Sequence, residues 1–415
     1  MTGPRNSDLR IDLSRLLNRI STLATIGAIE GGGVSRLALT EDDGLARDHV
    51  CALMRDAGLS MSIDSIGNVI GVRAGRIDGP PIMIGSHIDT VRTGGRYDGN
   101  LGVLAGLEVI NVFDDHEIET DYPVAVAFFT NEEGARFAPD MMGSMVHQGH
   151  LPLDAMLAVE DTQGVRVADA LQAIGYRGDP SADGARVRAF VELHIEQGPV
   201  LERESFTIGA VEGVQGISWT EVTIDGVSNH AGTTPMALRH DAGYAASAIA
   251  VFVRGLAERF GGSQVATVGA IDLEPNLVNV IARHARLTVD LRNTDDERLN
   301  AAETELTDFI DELREREGVT ITTRSLARFP PVEFAPAMIA AVERIATAQG
   351  HRVRRLPSGA GHDAQSFAPN CPTGMIFVPS VDGISHNIEE FTHDADIEAG
   401  ANVLLALVHQ LASAD

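Results

Sequence analysis

Cations are scarce in this 415-residue chain: 32 Lys and Arg stand against 59 Asp and Glu, a formal net charge of −27. That balance repels phosphate backbones and anionic lipid surfaces, which argues against nucleic acids and membranes as partners. Long apolar runs are missing too. The most apolar stretch, Ala242 to Val253, is bounded by Asp241 and Arg254 and falls short of the roughly 20 residues that span a bilayer. Only two cysteines occur, Cys51 and Cys371, too few for a disulfide framework, and Arg5, Asp8, Arg10 and Asp12 stand where a secretory apolar segment would be. A reduced, cytoplasmic protein is expected. Repeats and low-complexity tracts are absent as well. What is present is ordinary for a folded chain: 44% hydrophobic residues exclude disorder, and the length suggests two or three domains at about 150 residues each.

The first amphipathic helix is expected over Asp8 to Ile26, with Leu9, Leu13, Leu16, Leu17, Ile20 and Leu23 on one face and Asp8 as its N-cap. A second starts at Thr40 with Asp43 three residues on, carries Leu45, Val50, Leu53 and Met54, and stops at Gly58, with Cys51 simply packed inside. Short apolar runs then alternate with helical patterns: a strand at Pro81 to Gly85, a helix at Leu101 to Phe113, a strand at Val124 to Phe129. This rhythm predicts an α/β fold with parallel strands. From about Ile208 the texture changes to period-two strands, Ser218 to Ile224 and Arg286 to Arg292, with helices at Ala242 to Phe260 and Asn300 to Glu315. Helical patterns return after Pro330 and Pro331 at Ala335 to Gln349 and Asp396 to Ala412. The economical organisation is a catalytic domain in two pieces, residues 1–209 and 329–415, flanking a smaller α+β domain over 210–328.

Five segments place metal-binding side chains just past apolar runs, where an open α/β sheet has its ligand sites. They are Gly85-Ser86-His87-Ile88-Asp89, Gly95-Arg96-Tyr97-Asp98-Gly99, Asn131-Glu132-Glu133-Gly134, Glu192-Leu193-His194-Ile195-Glu196-Gln197 and Ser385-His386-Asn387. None identifies a metal site alone, because a lone buried histidine is usually a satisfied core residue. Together they are coherent. Two ions with three protein ligands each need six contacts, and five residues supply six when one carboxylate bridges. Asp98, in a flexible turn beside glycine, suits the bridge. Asp89 lies two residues from His87 on extended backbone, where it can hold the second nitrogen of the ring. Glu132 and Glu133 are adjacent and must point to different places, so one should bind metal and the other handle a proton.

The order His-x-Asp, Asp-Gly-Asn, Asn-Glu-Glu-Gly, Glu-Leu-His-Ile-Glu-Gln-Gly, Asn-His-Ala-Gly-Thr-Thr-Pro-Met and a late Ser-His-Asn resembles the N-carbamoyl-L-amino-acid hydrolase, allantoate amidohydrolase and β-ureidopropionase group. These are dinuclear amidases related to carboxypeptidase-like and aminoacylase-like metallohydrolases, and the resemblance covers almost the whole chain. It implies a metallopeptidase-like catalytic domain with a mixed, largely parallel sheet and an inserted dimerisation or lid domain. It also implies two divalent ions, Zn2+ or Mn2+ with Co2+ or Ni2+ as alternatives, one held by His87, Asp98 and His194 and the other by Asp98, Glu133 and His386. Glu132 would be the general base. His194 stands where related peptidases commonly have Asp, which favours a ureido substrate over a peptide. By the same likeness Gln197, His230, Asn279, Arg292 and Gly361 hold the substrate, and His230 serves the active site of the partner subunit of a homodimer.

The residues themselves add reasons. On the strand Arg286 to Arg292, Leu287, Val289 and Leu291 face one way and Arg286, Thr288, Asp290 and Arg292 the other, and an Arg fork suits a substrate carboxylate. His230 lies in a polar turn and should be exposed. Asn279 is followed by Val280-Ile281-Ala282-Arg283 where similar enzymes often have Pro-Gly, so the turn after it departs from the pattern. The expected activity is metal-dependent hydrolysis of the carbamoyl amide of an N-carbamoyl-L-amino acid to the amino acid, carbon dioxide and ammonia. Allantoate and N-carbamoyl-β-alanine are alternative substrates, a dipeptidase or N-acyl amino acid deacylase is the next rival, and a catalytically silent binding protein is the reading outside enzymology.

Overall fold

The computed structural model describes residues 9–414. They form two compact units, one running to Glu212 and resuming at Glu333, the other Gly213–Val332. The junctions lie three to four residues beyond the expected 210 and 328, because strands Ile208–Val214 and Thr320–Phe329 run through those points.

The larger unit is built on a mixed sheet. Its strand order is Ser60–Ile63, Val69–Arg73, Val124–Phe129, Ile82–His87, Ala189–Ile195, Thr373–Val378, Ile208–Val214, Val332–Glu333, with Val353–Ser358 also pairing to Ile208–Val214. The four central strands are parallel, and pairing turns antiparallel on both flanks. The sheet is thus parallel only at its centre. Those central strands are buried residue by residue, as strands covered on both faces must be, and Val124–Phe129 is apolar throughout. Helices Asn100–Asp115 and Asp394–Leu411 pack on them. In register, His87 stands opposite Phe129 and Ile195 opposite Val378, so the carboxyl ends of all four strands open at one edge.

Local rules account for most element boundaries. Ala242–Phe260 spans the expected residues, capped by Asp241, whose carboxylate accepts the Gly243 and Tyr244 N–H groups. The first helix begins later than expected, at Leu13, where Asp12 accepts the Arg15 N–H. Leu9 is buried but precedes it, and Asp8 lies outside the described residues. In the helix Glu41–Asp56, capped by Thr40, Val50, Cys51 and Met54 are buried while Leu45 is exposed, against the expected face.

The smaller unit is an antiparallel sheet in the order Thr320–Phe329, Gly216–Asp225, His284–Asn293, Val265–Glu274. Leu287, Val289 and Leu291 are buried and the intervening residues are not, as the period-two pattern requires. Helices Ala242–Phe260 and Asp296–Glu317 supply Ile249, Val253, Leu306 and Ile310 to the same core. Val265, Ile271 and Leu273 of the edge strand stay exposed. Among the described residues no helix is long and apolar enough to cross a membrane, and both cysteines are free thiols.

One buried ion pair braces the approach to the strand ends. Arg47 and Asp43 are fully enclosed and 2.8 Å apart. Arg47 also donates to the Gly67 carbonyl and to Thr130 Oγ1, immediately before the Asn131-Glu132-Glu133 segment. Truncating one member of such a pair strands the other charge in a dry interior. Asp43→Ala should therefore lower the unfolding free energy by about 3 to 5 kcal/mol, read from urea denaturation; a loss under about 1 kcal/mol would show that Gly67 and Thr130 suffice to hold Arg47.

Candidate metal centre

Four parallel strand ends and one helix start deliver the candidate ligands. His87 closes its strand, His194 is next to last in Ala189–Ile195, and Glu132 and Glu133 follow Val124–Phe129. His386 comes from the loop after Thr373–Val378, and Asp98 from the turn before Asn100–Asp115. That turn requires glycine. Gly99 has φ 64°, and a Cβ there would lie 2.5 Å from the His87 imidazole, so any side chain would evict the ligand.

These residues converge on Asp98, which is 4% exposed. Asp98 Oδ1 lies 3.4 Å from His87 Nε2 and 3.2 Å from His194 Nε2, while Oδ2 lies 3.4 Å from His386 Nε2. Glu133 Oε2 is 3.2 Å from His386 Nε2, and Glu132 Oε2 is 3.3 Å from His87 Nε2. Two clusters result, His87 with Asp98 and His194, and Asp98 with Glu133 and His386. The spacing fits metal: donors about 2.0 to 2.1 Å from a tetrahedral ion stand about 3.3 Å from one another. The imidazoles are turned for it as well. His87 Nδ1 is 2.9 Å from the Asp89 carbonyl and His194 Nδ1 is 2.9 Å from the Ile195 carbonyl. Each Nδ1–H therefore donates to backbone and leaves Nε2 for an ion.

Asp89 acts differently from expectation. Its carboxylate is 3.9 Å from His87 Nδ1 and does not hold the ring. Extended backbone brings the Asp89 carbonyl to that nitrogen instead, and the carboxylate accepts the N–H groups of Glu132 and Glu133, each at 3.3 Å. Asp89 thus fixes the two glutamates through their backbone. Burial pushes its carboxyl up to about 6 despite the His87 charge.

The electrostatics separate the carboxylates. Burial alone would raise Asp98, but hydrogen bonds from His194, His386 and His87 hold it well below the usual carboxylate range. Burial drives Glu132 well above that range, against the pull of His87, and Asp363 and Glu133 add to the rise. Glu132 is thereby suited to accept and keep a proton. The two neighbouring glutamates face different imidazoles, so their roles need not be equivalent.

A cavity of about 90 Å³ opens over the cluster, lined by Asp98, Glu132, Glu133, Gln197, Gly361 and His362 among others. Gln197 has a left-handed backbone (φ 57°) and its amide donates to Asp98 Oδ2 at 2.8 Å. His362, unremarked in its glycine-rich segment, packs edge-on against His194 at 4.5 Å and bonds Ser358 Oγ. Burial, then the neighbouring His194 charge, keeps it neutral. The remaining candidates belong to the smaller unit. There His230 and Asn279 come together, with His230 bridging to Val280 and the Asn279 carbonyl accepting the Ala231 N–H. Both are exposed. Arg292, next to last in the strand His284–Asn293, has Nε and Nη2 turned onto Asp290 at 2.9 to 3.1 Å, so its fork is already engaged by a carboxylate.

Comparison with known proteins agrees with this architecture. The N-carbamoyl-L-amino acid amidohydrolase of Geobacillus stearothermophilus is 39% identical over 406 residues, covering 97% of this chain and 99% of that protein. The allantoate amidohydrolase of Escherichia coli is 35% identical over 397 residues, covering 94% and 96%. A crystal structure of an amidase of the hydantoinase/carbamoylase family from Burkholderia multivorans superposes with a TM-score of 0.95 at 43% identity, covering 98% of this chain and 99% of the other. The model of peptidase family M20/M25/M40 matches residues 83–410. With that match over most of its length, and residues that could hold metal gathered at the carboxyl ends of its central strands, the chain belongs to peptidase family M20/M25/M40.

Proposed function

We propose that this protein hydrolyses the carbamoyl amide of N-carbamoyl-L-amino acids. The observation that carries the reading is the pair of three-ligand clusters sharing Asp98, with Glu132 beside them, in a chain similar over its full length to carbamoyl amidohydrolases. His87, Asp98 and His194 would hold one divalent ion, and Asp98, Glu133 and His386 a second, with Zn2+ and Mn2+ both suited to the mixed donor set and Co2+ or Ni2+ acceptable. Bound ions polarise a carbonyl oxygen and acidify water, which a ureido carbonyl fed by two nitrogens needs.

The chain's own residues do the rest. Glu132 takes the proton of the attacking water and delivers it to the departing amino-acid nitrogen, releasing the free amine and carbamic acid, which falls to carbon dioxide and ammonia. Asp89 holds Glu132 by its backbone, Gln197 and Gly361 border the ureido group, and Asn279 and Arg292 clamp the carboxylate, which takes the place of Asp290 on the Arg292 fork. His230 steadies the oxyanion in the active site of the partner subunit of a homodimer. The free thiols support a reduced, cytoplasmic setting. Allantoate is the second reading, favoured by the E. coli relative at 35% identity. N-Carbamoyl-β-alanine, dipeptides and N-acyl amino acids are its competitors.

The deciding experiment is an ammonia-release and amine-release screen over these substrates, with metal analysis of the same protein. Two ions per chain are expected, and chelation should stop turnover while leaving the fold intact. Glu132→Gln should keep both ions and lose about 10² to 10⁴-fold in kcat, whereas Glu133→Gln should bind one ion more weakly. Full activity after exhaustive chelation would overturn the metal reading, and the reverse pattern would exchange the glutamates.

A carboxylate clamp makes a second prediction. The amide of a good carbamoyl amino acid should be turned over poorly, and Arg292→Lys should behave like loss of the residue because a point charge cannot replace the fork. Equal kcat/KM for acid and amide would remove Arg292 from the site.

Shared sites make a third. Mixing Glu132→Gln with His230→Ala subunits should restore up to about half the wild-type activity per heterodimer, since one of its two sites then holds both intact residues. No recovery in a sample shown to contain heterodimers would place His230 in its own subunit or outside catalysis.

A further inference from the structure

The turn that carries Asp98 and the loop that carries His386 are joined by a side chain that belongs to neither candidate ligand set. Glu390 is 4% exposed. Its Oε1 accepts the N–H groups of Tyr97 and Asp98, at 3.1 and 3.2 Å, across a sequence separation of 292 residues or more. Its Oε2 accepts from Ser385 Oγ at 3.0 Å. The same Ser385 hydroxyl lies 3.1 Å from Asp98 Oδ2, the oxygen that faces His386. One carboxylate therefore grips the backbone of the bridging residue while holding a hydroxyl against its side chain.

A second observation points the same way. Gly95 opens the Asp98 turn, and a Cβ there would lie 2.2 Å from Glu390 Oε1 and 2.4 Å from Glu390 Cβ. Its φ is not positive, so backbone conformation does not demand glycine here. The absent side chain makes room for Glu390. Placing a buried carboxylate beside Asp98 works against stability in a chain already short of cations. An anion in that place is worth its cost when it orients a ligand, because buried acceptors fix the direction of the groups that donate to them.

We infer that Glu390, admitted by Gly95 and acting through Ser385, is a positioning residue that sets Asp98 against His386 so that both oxygens of one carboxylate can meet two ions. The inference rests on the metal-centre reading given above. Glu390 is no member of the candidate ligand sets, so its effect should appear in ion affinity beyond whatever change its loss makes in the stability of the ion-free chain.

The test is zinc affinity, measured by competition with a chromophoric chelator, alongside thermal melting of the ion-free proteins. Glu390→Ala and Gly95→Ala should each weaken zinc binding by about 10 to 100-fold, and the double variant should be no worse than the weaker single one, because both remove the same clamp. Glu390→Gln should stay within about threefold of wild type: its carbonyl oxygen can accept the two N–H groups and its amide can donate to Ser385 Oγ, whose proton then serves Asp98. Ser385→Ala, a smaller change that leaves Glu390 on the backbone, should fall between; it carries the test if Glu390→Ala does not fold. Wild-type affinity in Glu390→Ala, or in Ser385→Ala where that variant decides, overturns the inference alone, as does strict additivity of the two alanines or failure of Gln to rescue. A wild-type chain that holds no divalent ion overturns this inference and the metal-centre reading together.

Discussion

A carboxylate buried among three imidazoles is the constraint from which the larger unit takes its form. Asp98 can be ionised at 4% exposure only because His87, His194 and His386 converge on its two oxygens. Convergence from residues so far apart in sequence requires parallel strands ending at one level, and strands covered on both faces so that nothing shifts beneath them. The fully buried strands Val124–Phe129 and Thr373–Val378 are therefore as much part of the site as the candidate ligands that follow them.

The same constraint is written into the backbone. Asn131, Met141, Gln197 and His386 all have positive φ, between 47° and 57°, although none is glycine. A residue held that way costs on the order of 1 to 3 kcal/mol. The packed strands tolerate it, and in return Met141, Gln197 and His386 line the cavity while the Asn131 amide ties its loop to the Phe137 and Pro139 carbonyls. Asp89 shows the complementary economy: its carbonyl orients a histidine while its carboxylate pins two glutamate N–H groups, so one residue sets the angles of three others.

Much of this could be read in the sequence because the ligands follow apolar runs directly. His87, Glu132 and His194 each stand at or just beyond such a run, and the helix Ala242–Phe260 was bounded by its own cap and glycine. Less local facts were not legible. Leu45 fits a helical period yet faces solvent, since periodicity names a face without saying what covers it. Hydrophobic runs do not reveal strand direction, so the antiparallel flanks of the sheet carried no signal. The role of Asp89 was misassigned because backbone carbonyls have no letter in a sequence. Glu390 and Gly95 were passed over for a different reason: their meaning lies in a contact between residues 295 apart in sequence, the glycine's absence of a side chain matched to an acid near the other end of the chain.

Strand order has a temporal side. Ala189–Ile195 and Ile208–Val214 are neighbours in sequence but not in the sheet, because Thr373–Val378 lies between them. During synthesis the whole of Gly213–Val332 is made before that intervening strand exists. A larger unit assembled before then would leave a slot one strand wide, its two facing edges carrying unsatisfied backbone groups. The same late segment brings His386, so the closing of the sheet and the completion of the ligand set are a single event, and a chain that stalls before it is left with a sticky cleft in place of a catalyst.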